Sequence, residues 1–270
     1  YWRSLERPRF AILAGIAYGL CLETKHNAWI LPLVLLVHWL WFVVPGEIAA
    51  RRRGARPRMA LTPHWLVAFA VLGPPIFVGL WPWLWHDTFA RFSEYVSFHV
   101  AHTHYNTAFL GTTYFGAPGP ASFPWVETLF TVPLVTVALG LAGIAVRFRA
   151  MLPPGTEDRV WPGGRVRADR ARTDALLFGV MLAPLVVFSI PSTPIFGGNK
   201  HFLVAFANLA LFAGVGATRV MDAARDALLR VRPSIAPAAA PVAAALLFLP
   251  SLHETEHAHP FGLSHYTWAA

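Results

Sequence analysis

All but three of the 22 lysines and arginines in this 270-residue chain fall in four clusters, and long apolar runs separate the clusters. The clusters are Arg3, Arg7 and Arg9; Arg51, Arg52, Arg53, Arg56 and Arg58; Arg147, Arg149, Arg159, Arg165, Arg167, Arg170 and Arg172; and Arg219, Arg225, Arg230 and Arg232. The exceptions are Arg91 and the only two lysines, Lys25 and Lys200. Charge confined to the joints between apolar stretches is the pattern of a polytopic membrane protein, and the positive-inside rule places all four clusters on the cytoplasmic side. The segments 85–125, 190–201 and 251 onward then face outward, and they hold nine of the twelve histidines.

With 13% charged residues and a mean hydropathy of +0.48, the chain carries too little charge to cover a soluble globule of its length. Its formal charge of +8 therefore reads as topology and contact with the anionic headgroups of a lipid bilayer. Nucleic acid is not expected as a partner, because a soluble nucleic-acid binder would not set its arginines between apolar spans. The single cysteine, Cys21, lies inside an apolar run and offers neither a disulfide framework nor a thiol motif. No signal peptide precedes Tyr1, so the expectation is a fragment of a longer protein, forming one transmembrane domain over residues 1–270.

The expected architecture is all-α, with about seven transmembrane helices and an interfacial helix. Residues 10–44 form a hairpin turning at Lys25, because arginine clusters flank both ends. The first arm, 10–22, is only about 20 Å long against a hydrocarbon core of about 30 Å, which sets Lys25 in a cavity open to the outer surface. Residues 66–85 cross outward through Gly73-Pro74-Pro75 and end in the aromatic belt Trp81-Pro82-Trp83-Leu84-Trp85. Phe89, Phe92, Val96 and Val100 then recur at helical spacing beside polar Arg91, Glu94 and His102, the pattern of an amphipathic helix lying on the membrane. Further spans are expected over 126–146, 175–190, 202–217 and 235–249. Residues 151–172 form a cytoplasmic loop, and no internal repeat of the secondary-transporter kind is visible.

Charge in or beside a span is costly, so each instance asks for a reason. A compact ammonium at Lys25, beside His26 and Asn27, suits a phosphate or pyrophosphate held at the bilayer surface. A lysine that snorkels to water or pairs with Glu23 is the plainer account. Gly197-Gly198-Asn199 is a turn signal, and Lys200-His201 opens the following helix, where free backbone N–H groups also favour an anion; an interfacial anchor is the alternative. Of the histidines in His99-Val100-Ala101-His102-Thr103-His104, the first two share a helix face. His253-Glu254-Thr255-Glu256-His257-Ala258-His259 crowds several ligand types together. Neither stretch has a defined zinc spacing, and exposed interfacial histidines explain both, so no metal site is assigned. Glu23, Asp87, Glu94, Glu127, Glu254 and Glu256 are the outer-face carboxylates available as a base, although Asp87 equally suits a helix cap.

Several stretches, in order, carry a family likeness. The run Gly15-Ile16-Ala17-Tyr18-Gly19-Leu20-Cys21-Leu22-Glu23-Thr24-Lys25 resembles the Gly-rich helix ending in Thr-Lys of family 39-type membrane glycosyltransferases, which have the GT-C fold. That group includes protein O-mannosyltransferases and the aminoarabinose transferase of lipid A. The belt from Trp81 to Trp85, Phe98-His99 through His102, His104-Tyr105-Asn106 to Leu110-Gly111, and Asn199-Lys200-His201-Phe202 are similar to a bacterial branch of it. The tail from His259-Pro260-Phe261 to His265-Tyr266 is similar to its His-Pro-aromatic segment. Lys200 stands where that family carries arginine, and Phe206-Ala207-Asn208 lacks its proline.

The resemblance implies a multi-pass enzyme of the bacterial inner membrane, working on the extracytoplasmic side. It would take a sugar from a polyprenyl-phosphate carrier to an acceptor hydroxyl on protein, lipid or glycan, with inversion. Lys25 and Lys200 would neutralise the lipid phosphate, and His26, Asn27 and His201 would support them. His99, His102 and His104 would line the outer loop. The acidic base would lie upstream of this fragment, and a divalent metal is compatible with the chemistry. A transporter or flippase for an anionic substrate, and a non-catalytic lipid-binding subunit, are the alternative functions.

Overall fold

The computed structural model describes residues 1–156, 172–195, 198–259 and 267. It is 74% helix and 2% strand, which agrees with the all-α expectation. The helices are α1 (Trp2–Glu6), α2 (Phe10–Thr24), α3 (Leu31–His38), α4 (Val44–Arg52), α5 (His64–Leu80), α6 (Thr88–Val100), α7 (Phe123–Thr131), α8 (Leu134–Met151), α9 (Thr173–Phe188), α10 (Leu203–Val231) and α11 (Ala239–Ala258). A 3-10 turn, His26–Ile30, leads into α3, and a π-helical turn, Trp39–Val43, joins α3 to α4, so that helical structure runs unbroken from His26 to Arg52. The antiparallel strands β1 (Thr107–Phe109) and β2 (Thr112–Tyr114) form a hairpin. Leu110 (φ 47°) and Gly111 (φ 75°) supply the left-handed pair that a two-residue turn requires.

Among the described residues, four helical stretches are long and apolar enough to cross a membrane: His26–Arg52, Leu134–Met151, Leu203–Val231 and Ala236–Ala258. Seven full spans are therefore not borne out. The other three apolar helices, α2, α5 and α9, have 15, 17 and 16 residues. At 1.5 Å per residue they reach about 23 to 26 Å, against a hydrocarbon core of about 30 Å. The expected span over 126–146 is also broken. Pro133 pushes Val132 out of the helical region (φ −98°, ψ 133°), so α7 and α8 are separate helices. By contrast, α5 continues through Pro74 and Pro75, as membrane helices can. Of the third basic cluster, Arg159, Arg165, Arg167 and Arg170 lie outside the described residues, as do Gly197 and Pro260 to Tyr266.

The chain divides into two compact units. The first comprises residues 1–106, 115–117 and 150–184, and the second residues 107–114, 118–149 and 185–270.

In the first unit α2 packs against α5, and glycine permits the close approach. A Cβ at Gly15 would meet the Ala68 carbonyl oxygen at 2.6 Å, and one at Gly19 would meet the Ile76 side chain at 2.7 Å. This small-xxx-small spacing gains van der Waals contact where lipid tails remove the hydrophobic drive for association. Beneath it Leu5, Leu35, Trp39, Val43, Trp65 and Phe69 form a buried cluster. Glu47, 2% exposed, accepts hydrogen bonds from Arg51 Nε and the Arg58 amide, each at 3.0 Å. The second basic cluster is thus partly structural, since Arg51 also donates to the Met59 carbonyl at 3.0 Å. In the second unit α8 and α10 meet at their backbones, where a Cβ on Gly143 or Gly216 would overlap the carbonyl of Phe212 or Leu139.

Candidate functional site

The helix break expected at Lys25 is present. Thr24 Oγ1 closes the last turn of α2 onto the Leu20 carbonyl at 2.9 Å. Lys25 then turns extended (φ −164°, ψ 135°), and its carbonyl accepts the Ala28 amide at 3.0 Å to start the 3-10 turn. Lys25, His26 and Asn27 are all half-buried at this joint.

Helix α6 meets the same joint. Phe92, Tyr95 and His99 recur every three or four residues and so share one face. Tyr95 packs with Trp29 and Trp81 against the buried cluster of Leu22, Phe77 and Leu84. Phe89 (92% exposed), at the rim of the cavity described below, and Val100 (72% exposed) leave apolar surface on the outside of this helix. Asp87 occupies the N-cap position, but in a left-handed conformation and with no side-chain cap bond, so the capping role expected for it is not realised. The helix ends at Val100, which leaves His102 beyond it. His99 and His102 therefore do not share a helix face, and His102 instead packs on Phe98 and Tyr105, with ring centroids 4.9 and 5.7 Å away. His104 is half-buried in the segment that follows.

The two sequence-distant candidates that do come together are His26 and His99. Their ring centroids lie 4.2 Å apart at an angle of 46°. His99 Nδ1 is 2.8 Å from the Tyr95 carbonyl, so it carries the proton and donates there. The Trp29 ring stands edge-on to both histidines, 6.2 and 5.8 Å away, and to Tyr95 at 5.5 Å. Burial, and then the nearby Glu23 carboxylate, push the Tyr95 phenol above its ordinary range. Glu23, His26, Tyr95 and His99 thus come together at this joint, with Lys25 next to His26 in the chain.

Trp29 also walls a cavity of about 500 Å³. Tyr18, Leu22, Pro32, Phe69, Phe77 and Phe92 line it together with further apolar side chains, and Thr88 is among its few polar groups. A pair of imidazoles thus adjoins an apolar groove through one shared indole.

Lys200 and His201 belong to the second unit. They lie in a 3-10 turn, Gly198–His201, and the helix itself begins at Leu203 with Phe202 as its N-cap, so the expectation that they open that helix needs correction. Lys200 is exposed, whereas His201 is 3% exposed and stacks on Phe188 with centroids 4.9 Å apart. Helix α7 packs against this turn. It carries Glu127, whose carboxyl burial pushes above the usual carboxylate range.

His253 and His257 stack at 6.4 Å on α11, both exposed. Among the described residues no three His, Cys, Asp or Glu side chains gather closely enough to hold a metal ion. Two residues of the cluster escaped sequence reasoning, Trp29 and Tyr95. Tyr95 had a usable signal, since it lies four residues before His99 and three after Phe92.

Comparison with models of known protein families, with curated proteins and with solved structures finds no match to this chain.

Proposed function

We propose that this chain is the membrane scaffold and part of the donor site of a GT-C-like glycosyltransferase that takes a sugar from a polyprenyl phosphate on the extracytoplasmic side. The observation that carries the reading is the apolar cavity adjoining the His26–His99 pair across Trp29, with Lys25 preceding His26 in the chain. An amphipathic donor asks for this pairing: an isoprenoid chain fills a groove with apolar lining, and a phosphate needs a cation at the groove's end. Lys25 supplies the charge that stabilises the phosphate as negative charge builds on it during transfer. His26 and Asn27 are adjacent contacts, and His99 lines the sugar side together with the segment bearing His102 and His104. Lys200 and His201 belong to the second unit, where His201 is committed to packing on Phe188, and this reading rests on the first unit alone.

The test uses the full-length protein in proteoliposomes with a polyprenyl-phosphate sugar donor. Wild-type protein transfers the sugar, and Lys25→Ala loses transfer while still inserting. Trp29→Ala raises KM about tenfold for a long-chain donor and changes it little for a donor with a short prenyl chain, the loss expected for one large apolar contact. Wild-type rates in Lys25→Ala, or equal KM effects for both chain lengths in Trp29→Ala, would sink the reading.

A further inference from the structure

We propose that His26, supported by the ring of His99, delivers a proton to the departing lipid phosphate, so that the site protonates its leaving group as well as neutralising it. This rests on the glycosyltransferase reading and adds a chemical role to it.

The geometry begins with His99. Its Nδ1–H is committed to the Tyr95 carbonyl at 2.8 Å, which fixes the neutral ring as the tautomer with a lone pair on Nε2. Its ring lies 4.2 Å from that of His26, and Trp29 stands edge-on beside both. Of the two rings, His26 is the one next in sequence to Lys25, which the glycosyltransferase reading sets against the phosphate, so His26 is the ring placed to pass that phosphate a proton. The titratable groups near His26 are Glu23 and Lys25, close to it in sequence, and His99 and Tyr95, which α6 brings against it and its neighbour Trp29. Of these, Glu23 is the carboxylate whose charge reaches the cluster, through Tyr95.

The chemistry fits the leaving group. A phosphate monoester takes up its second proton near pH 6, and an imidazole titrates near 6.5, so the two are matched for transfer within the reaction. In the step, the acceptor oxygen bonds to the anomeric carbon, and the bond from that carbon to the phosphate oxygen breaks with its electron pair on the phosphate. The His26 imidazolium proton passes to that phosphate, leaving neutral His26 and a lipid phosphate monoanion. The acceptor hydroxyl's proton leaves to a carboxylate base.

The experiment measures kcat and KM for donor between pH 5.5 and 8.5 with the full-length protein in proteoliposomes, comparing wild type, His26→Gln and His99→Phe. A required acid gives the wild type a kcat that falls above the ordinary imidazole pKa of about 6.5. His26→Gln keeps a hydrogen-bond donor but has no proton to release, so its kcat drops about 100-fold, its donor KM stays within about threefold and the alkaline fall disappears. His99→Phe keeps an aromatic ring without the bond to Tyr95; it loses less rate and retains the alkaline fall, displaced in pH. A flat wild-type profile on the alkaline side overturns the proposal without any variant, as does a His26→Gln protein that retains the fall. No transfer by wild type takes down the glycosyltransferase reading and this role with it, whereas normal transfer with an unaffected His26→Gln profile removes this role alone.

Discussion

The chain sets a lysine directly before a histidine twice, at Lys25-His26 and at Lys200-His201, and the two pairs fold into different environments. In the first, lysine and histidine are both half-buried, and the imidazole meets a second imidazole beside an apolar cavity. In the second, the lysine is exposed and the histidine is sealed in the packing, stacked on Phe188 next to a fully buried Phe202. A dipeptide with one chemical meaning in the sequence therefore has two in the fold. The first pair presents titratable groups at the edge of a cavity, while the second uses its ring as core and leaves its ammonium at the surface, where helix-end lysines serve as anchors.

The sharpest way to break this comparison is to remove each lysine in turn. Lys25→Ala should lower the transfer rate by about 100- to 1000-fold, the range for losing one preorganised stabiliser of developing charge. Lys200→Ala should cost less than about tenfold, as expected for a solvent-screened surface charge. Equal losses in a proteoliposome assay would mean that both lysines serve the same phosphate.

The histidines should respond in the opposite sense. His201→Ala removes a buried ring and should destabilise the protein by about 2 to 3 kcal/mol, read as a lowered melting temperature in detergent. His26→Ala, at a half-buried joint, should cost under about 1 kcal/mol. A larger destabilisation from His26→Ala would make that residue a packing element and remove the contrast.

Close helix approach offers a check of intermediate size on the first unit. Gly15→Leu should force α2 from α5 at a cost of about 1 to 3 kcal/mol and lower the yield of folded protein. Gly79→Leu, at a position with open space, should leave it unchanged.

The smallest effect concerns Glu127, beside the second pair. Its carboxyl is raised in the folded state, so folding favours its protonated form. The stability it contributes is complete below the ordinary carboxylate pKa of about 4.3 and is lost as pH rises through the raised value. Glu127→Gln should flatten the melting temperature against pH across that window, and an unchanged slope would show that burial does not act on this group.

Some of this was legible in the sequence for a clear reason. The break at Lys25 and the interfacial helix after the tryptophan belt follow from local patterns, a polar interruption of an apolar run and a helical repeat of Phe and Val. The split of 126–146 was also encoded, in Pro133, but a continuous hydropathy signal masks a backbone break that only one missing N–H enforces. The face shared by His99 and His102 failed because the helix stops between them. The packing of His26 on His99 had no local signal, since they stand 73 positions apart and the contact depends on α6 lying against the end of α2.

The sequence by itself determined that the chain is built of apolar helices joined by basic segments, and it singled out both lysine-histidine pairs. Hydropathy and charge are properties of each segment alone, so they survive any arrangement of the segments. Only the tertiary structure decided which pair borders a cavity and which fills a core. Burial and ring contact depend on residues brought from elsewhere in the chain: Tyr95 and His99 for the first pair, and Phe188 for the second.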